Sequence, residues 1–526
     1  MTSTTVGEEA NLLVRTADGT VAGSRPGVSR PGAGQPGVRH PSTVASFKGI
    51  PFAAPPVGPL RWRPPAPAEP WDGVRLAVAA GPAPVQAPPP RTAVVCFTSL
   101  ADRRALVMSE DCLYLNVWTP DPAPGASLPV MVFLHGGAFR FGHGALDIQD
   151  GTAVAARGVV VVTVSMRLGP LGFLAHPELA AEDELAASGN YGLLDVVAAL
   201  RWVRRSIDRF GGDPGRVTLA GNSAGAAMVT HLMTADLTRD LFHAAIGQSS
   251  SGIYRAEGRI PGQETAQQRG LNALGDLGRV PLARLRALSP AALPLGAPLG
   301  VVIDGRVLTR DTEQVFNQGE QHPVPLLAGT VTDEGTAYTT ASAAGELRQL
   351  VQGDLDGPLG AVYPVDEEHW RASARAFIGE TRFVYPVWRW ARTHAATAGA
   401  PVWLYRFDHK LPLPAGAGID PPADGGPGYG VFHSSELPYT ADTLSSRDWD
   451  WTETDHTLAK VTADAWARFI ADADPNGPGL PAWPRFTDSD DEGQVMVLGD
   501  RLRAETVRRL EALRVLDTLP RPVMRG

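Results

Sequence analysis

The chain has almost no cysteine: two residues, Cys96 and Cys112, in a length of 526. Two thiols cannot make a disulfide framework, so a small secreted scaffold is excluded and a reducing compartment is expected. Lysine is nearly as scarce, occurring only at positions 48, 410 and 460, with arginine supplying the rest of the positive charge. That is a bias of composition without functional content. There is no cationic excess either. The formal net charge of -9 argues against a nucleic-acid partner. Long apolar runs are missing: the longest, such as Gly158–Val164, fall far short of the roughly 20 residues a membrane helix needs. The start, Met1 to Leu13, carries Glu8 and Glu9 and no basic stretch leading into an apolar one. No signal peptide is visible, so a cytoplasmic protein that does not engage a membrane is expected. No internal repeat is present.

Apolar residues make up 44% of the chain and charged residues 20%, the balance of a globular protein with ample core. A length prior alone would allow about three domains. The pattern instead reads as one α/β domain over residues 1–526, a mostly parallel sheet with helices on both faces. Residues 23–41, rich in Pro, Gly and Arg, are expected as a flexible loop between two early strands. Pro129–Leu134, Gly158–Val164, Val217–Ala220, Ala244–Gln248, Val324–Ala328 and Val402–Phe407 read as strands. Leu193, Val197, Leu200, Val203, Ile207 and Phe210 recur at helical spacing. The segments 252–300 and 346–400 read as helical insertions that cap a site.

Chemistry first shows at Gly221-Asn222-Ser223-Ala224-Gly225. A Gly-x-Ser-x-Gly turn between a strand and a helix is a nucleophile elbow, which holds a serine in strained backbone above the sheet. Glycines at 221 and 225 remove β-carbons that would clash in so tight a turn. The helix that follows offers free N–H groups where an oxyanion would form. The bare pattern recurs by chance in Gly-rich chains; strand, elbow and helix together make Ser223 a candidate nucleophile.

Acyl transfer by serine also needs an oxyanion hole, an acid and a base, with the acid and base following the serine in this architecture. His135-Gly136-Gly137-Ala138 follows the predicted strand 129–134, so the Gly136 and Gly137 N–H groups, with that of Ala224, can serve a tetrahedral oxyanion. Loss of one such donor costs roughly 3–4 kcal/mol. Gly329-Thr330-Val331-Thr332-Asp333-Glu334-Gly335 follows the predicted strand 324–328, placing Asp333 and Glu334 at a strand's C-terminal edge. Spacing does not choose between them. His409, His433 and His456 lie in the part of the chain where the base belongs. His433 stands in a loop after a strand, the setting expected for the last member, though spacing alone does not decide for it.

These stretches, with Phe47-Lys48-Gly49-Ile50-Pro51-Phe52-Ala53, Ser109-Glu110-Asp111-Cys112-Leu113-Tyr114-Leu115-Asn116-Val117, Gly189-Asn190-Tyr191-Gly192 and Trp483-Pro484, resemble the type-B carboxylesterases, the group that includes bacterial para-nitrobenzyl esterases. The resemblance runs from about Phe47 to Thr487. It implies the α/β-hydrolase fold, no cofactor and no metal, and a serine carboxylic-ester hydrolase acting on small-molecule esters through an acyl-enzyme. It implies Ser223 as nucleophile, Glu334 as acid and His433 as base, with Gly136, Gly137 and Ala224 as oxyanion hole. Ser249 matches a serine that buttresses the acid and base. An amidase, carbamate or lactone hydrolase on the same residues is the alternative, and a non-catalytic binding homologue a more distant one. Two departures bear on substrate. Asn222 stands where the family usually has glutamate, and the segment 96–112, which corresponds to a disulfide loop of the family, holds no tryptophan. Neutral, fairly apolar esters are therefore expected over choline esters.

Overall fold

The computed structural model describes residues 12–25, 44–90, 92–98, 106–253, 260–340, 345, 347–349, 356–487 and 493–519. Among these residues, ten strands form one sheet. In chain order they are β1 (Ala45–Pro51), β2 (Tyr114–Thr119), β3 (Leu128–Leu134), β4 (Val160–Val164), β5 (Gly212–Asn222), β6 (Ala244–Gln248), β7 (Leu326–Val331), β8 (Val402–Asp408), β9 (Gln494–Gly499) and β10 (Arg503–Thr506). Across the sheet the order is β10-β9-β8-β7-β6-β5-β3-β4-β2-β1. From β9 to β4 every junction is parallel; the two margins are antiparallel. The sheet is mostly parallel, as the strand and helix alternation predicted.

Why both faces are covered can be read residue by residue. β4 is Val160-Val161-Val162-Thr163-Val164, all buried, and β-branched side chains suit a pleated surface that never meets water. Successive residues point to opposite faces, and they fall into two separate cores. Val130, Val132, Val160, Val162, Leu219 and Leu326 pack into one, with residues of helices α1 (Tyr191–Ser206), α2 (Ala224–Leu232) and α6 (Tyr385–Thr397). Met131, Phe133, Val161, Ala220, Ile246 and Leu327 pack into the other, against α7 (Glu453–Asp472).

The structure moves some expected boundaries. The elbow strand begins at Gly212, five residues early, and its register against β3 slips between Gly212 and Val217. The strand expected over 324–328 runs from Leu326 to Val331, because backbone pairing with β8 continues through Val331. The expected loop over 23–41 opens as strand: Gly23 closes the strand Thr20–Gly23, and Ser24 bridges to Ser46. Residues 26–41 lie outside the described residues. The expected helical insertions contain α3 (Gln263–Leu274), α4 (Leu282–Ala287), α5 (Trp370–Gly379) and α6.

Two charge pairs tie distant segments together. Arg61 grips Glu110 through two bonds of 2.6 Å, and buried Arg167 forks onto buried Asp195. Removing one partner of such a buried pair costs about 3–5 kcal/mol, because the other charge is left without a counter-ion. Cys96 and Cys112 are free thiols and both buried. Burial pushes the Cys96 thiol up to about 11 and raises that of Cys112 as well. Among the described residues, no helix is long and apolar enough to cross a membrane.

Candidate active site

β5 runs straight into α2, and Ser223 is the residue between them. Its φ of +53° with ψ of -123° lies outside the regions open to ordinary L-residues, a strained conformation that only surrounding structure can hold. That structure is close packing. A β-carbon on Gly221 would stand 2.4 Å from the carbonyl carbon of Gly225, and one on Gly225 would stand 2.2 Å from the Leu134 carbonyl oxygen. The Ser223 N–H is held by the Gln248 carbonyl at 2.7 Å, from the end of β6.

The loop after β8 carries His433 to this serine. His433 Nε2 stands 2.9 Å from Ser223 Oγ, and Nδ1 stands 2.5 Å from Glu334 Oε2. An ionised carboxylate only accepts, so the proton sits on Nδ1 and leaves Nε2 to accept from the serine hydroxyl. Glu334 is 1% exposed, and its other oxygen accepts from the Val331 N–H at 3.0 Å. Asp333 faces elsewhere. Its carboxylate accepts from the Val431 N–H at 2.9 Å and its own N–H donates to the Val431 carbonyl at 2.9 Å, which ties down the loop two residues before His433. His409 is held between Asp455 and Asp500, and His456 is exposed on α7. Geometry thus separates candidates that spacing left level.

Gly136 and Gly137 follow β3 at its C-terminal edge. A β-carbon on Gly136 would come within 3.1 Å of Ser223 Cβ, so its backbone lies directly against the serine. Ala224 is the first residue of α2, where N–H groups have no intrahelical acceptor. Among the described residues, none of the N–H groups of Gly136, Gly137 and Ala224 has an acceptor. Three unused donors beside the Ser223 hydroxyl form an arrangement able to bind a developing oxyanion.

Behind the serine lies a second buried carboxyl. Glu436 is fully buried, and its Oε1 accepts from Ser249 Oγ at 3.2 Å and from Asn222 Nδ2 at 3.5 Å. Ser249, expected beside the acid and base, is therefore bonded to Glu436. Asn222 is also fully buried, its Oδ1 accepting from Ser434 Oγ at 3.0 Å. Glu436 Oε2 has no partner of regular hydrogen-bond geometry among the described residues, although Tyr405 lies near enough to act on the carboxyl. Burial, reinforced by the charge of Glu334, pushes Glu436 up to about 8. Near neutral pH that burial favours the protonated form of Glu436.

The Carboxylesterase family matches residues 11–352 and 361–515 of this chain. The chain belongs to that family. The fumonisin B1 esterase of Sphingopyxis macrogoltabida is 36% identical to it over 487 residues, covering 87% of this chain and 84% of that protein. The para-nitrobenzyl esterase of Bacillus subtilis (strain 168) is 33% identical over 463 residues, covering 84% of this chain and 89% of that protein. The solved structure of a thermophilic PNB esterase superposes with a TM-score of 0.79 at 30% identity, over 96% of this chain and 100% of that one. The fold is accordingly the α/β-hydrolase fold, and the protein is a serine carboxylic-ester hydrolase.

In this carboxylesterase a cavity of about 370 Å³ lies over Ser223, with Phe139, Phe173, Leu299, Val301, Tyr338 and Phe383 among its walls. Both helical insertions contribute to it. Phe383 lies against His433 with ring centroids 4.3 Å apart, and Tyr338 meets the same imidazole edge-on at 5.4 Å. A separate cavity of about 570 Å³ is walled by Gly329–Thr336, Glu334 included, but by neither Ser223 nor His433; Ser223 lines the smaller of the two. Among the described residues, no cluster of His, Cys, Asp or Glu could hold a metal ion. Sequence reasoning missed Glu436, Tyr338 and Phe383 as parts of the site. Glu436 stands three residues beyond His433, but nothing local signals that a glutamate will be buried.

Proposed function

We propose that Ser223, His433 and Glu334 carry out ester hydrolysis as nucleophile, general base and orienting acid. His433 Nε2 takes the hydroxyl proton as Ser223 Oγ adds to the ester carbonyl. The resulting oxyanion is met by the N–H groups of Gly136, Gly137 and Ala224. His433 returns the proton to the departing alcohol, and water repeats the sequence on the acyl-enzyme to release the acid. The observation that supports this most is His433 bridging Ser223 at 2.9 Å and Glu334 at 2.5 Å.

The aromatic and aliphatic walls suit an apolar acyl or alcohol part, and the absence of a carboxylate at position 222 makes cationic esters poor substrates. We read residues 1–526 as one catalytic domain. Two free, buried cysteines fit a cytoplasmic setting. Ser223→Ala should keep the melting temperature and lower turnover of para-nitrophenyl butyrate by about 10⁶. Activity above a few per cent of the parent would overturn the assignment.

A further inference from the structure

Among the described residues, the walls of the cavity over Ser223 include three arginines, Arg140, Arg269 and Arg382, and no aspartate or glutamate. The chain as a whole is acidic, with a net charge of -9, so this cationic surplus is local. Arg382 sits on a π-helical turn, Glu380–Val384, between α5 and α6. Such a widened turn is rare and is frequent at functional sites. Here Thr381, Arg382 and Phe383 all line the cavity.

Three described acids in this region are committed elsewhere. Glu380 is bonded to Arg509 and Tyr363, Glu334 to His433, and Asp424 to Arg375. Arg382 is half-buried, and its Nε is buried without a hydrogen-bond partner among the described residues. Arg140 donates to the neutral Gly296 carbonyl at 3.1 Å and lies over the Phe141 ring. Arg269, exposed on α3, has no ion-pair partner among the described residues. A buried guanidinium donor without an acceptor is costly, and its planar fork matches a carboxylate better than any neutral group.

We infer that the preferred substrate is an ester carrying a free carboxylate, such as the monoester of a dicarboxylic acid, selected by Arg382 with Arg269 and Arg140. The inference rests on the proposed role of Ser223. The carboxylate is bound and not transformed: water still divides the acyl–oxygen bond, and neutral esters remain slower substrates. The difference from a neutral site is one of attraction, and attraction between unit charges across a partly desolvated cavity amounts to about a tenfold effect or more.

The test compares monoethyl adipate with ethyl heptanoate by ethanol release, and the butyrate ester of 4-hydroxybutanoate with pentyl butyrate by butyrate release. These two pairs place the carboxylate on the acyl or the alcohol side. The expected result is a kcat/KM at least about tenfold higher for the anionic ester in one pair, shrinking as salt rises from about 0.02 to about 0.5 M. In the double variant Arg269→Gln, Arg382→Gln that ratio should fall towards one, whatever happens to the absolute rates. Hydrolysis of the neutral esters with no anionic preference in either pair overturns this inference and leaves Ser223's role standing. No hydrolysis of any ester overturns both. A ratio unchanged by salt and by the double variant also refutes it.

Discussion

Glu436→Gln should make the protein more resistant to alkaline pH. The native carboxyl is pushed up to about 8 from an ordinary value of 4.5, so the folded state holds a proton that the unfolded chain has already released. A raised carboxyl is a destabilising one at high pH: its contribution is present below about 4.5, falls through the interval, and is fully lost above about 8. Each pH unit in that window is worth about 1.4 kcal/mol. The window of about 3.5 units sets an upper bound of about 5 kcal/mol, and coupling to Glu334 makes about 2–4 kcal/mol the working expectation. Glutamine keeps the carbonyl that accepts from Ser249 and Asn222 but has no proton to lose. With about 2.1 cal/mol/K per residue of unfolding entropy over 526 residues, 1 kcal/mol corresponds to about 1 °C. The gap in melting temperature between variant and parent should therefore widen by about 2–4 °C from pH 5 to pH 9, measured by differential scanning fluorimetry. A gap that is the same at both ends would show that Glu436 does not hold a proton in the native state.

Glu334→Gln should lower turnover by about 10⁴, while Asp333→Asn, which only weakens the clasp on Val431, should cost no more than about tenfold; the reverse ranking in para-nitrophenyl butyrate assays would refute the acid assignment. Cys96 and Cys112 should resist Ellman's reagent in the folded protein and both react once it is unfolded in urea, since burial keeps the thiols protonated and out of reach. Rapid labelling of native protein, or fewer than two thiols after unfolding, would contradict that. Butyrylthiocholine should be hydrolysed with a kcat/KM at least about tenfold below that of a neutral butyrate thioester; equal or greater efficiency would mean that a cation is recognised by residues outside the described cavity wall.

Much of the fold was legible locally, because strand and helix signals are carried by neighbours in the chain. Val160–Val164 announces a buried parallel strand through β-branching alone, and Leu193 to Phe210 announces a helix by its spacing. Boundaries were less legible. β7 extends to Val331 because β8 supplies pairing partners, a fact about a strand some seventy positions away. The elbow was legible as a pattern since its constraint is local sterics, confirmed by the 2.4 Å and 2.2 Å approaches that only glycine tolerates.

The composition of the site divides along the same line. Ser223, the Gly136–Gly137 pair and the C-terminal edge of β7 follow from short motifs and from the rule that parallel sheets gather their reactive groups at one edge. The choice of Glu334 over Asp333, and of His433 over His409, needed distances between residues about a hundred positions apart. So did the burial of Glu436 against Ser249 and Asn222, and the meeting of Arg140, Arg269 and Arg382 around one cavity. Local sequence determines which backbone conformations and which reactive groups are available. Which of those groups face one another, and which charges are cut off from water, depends on contacts between distant segments, and those exist only once the sheet has brought the segments together.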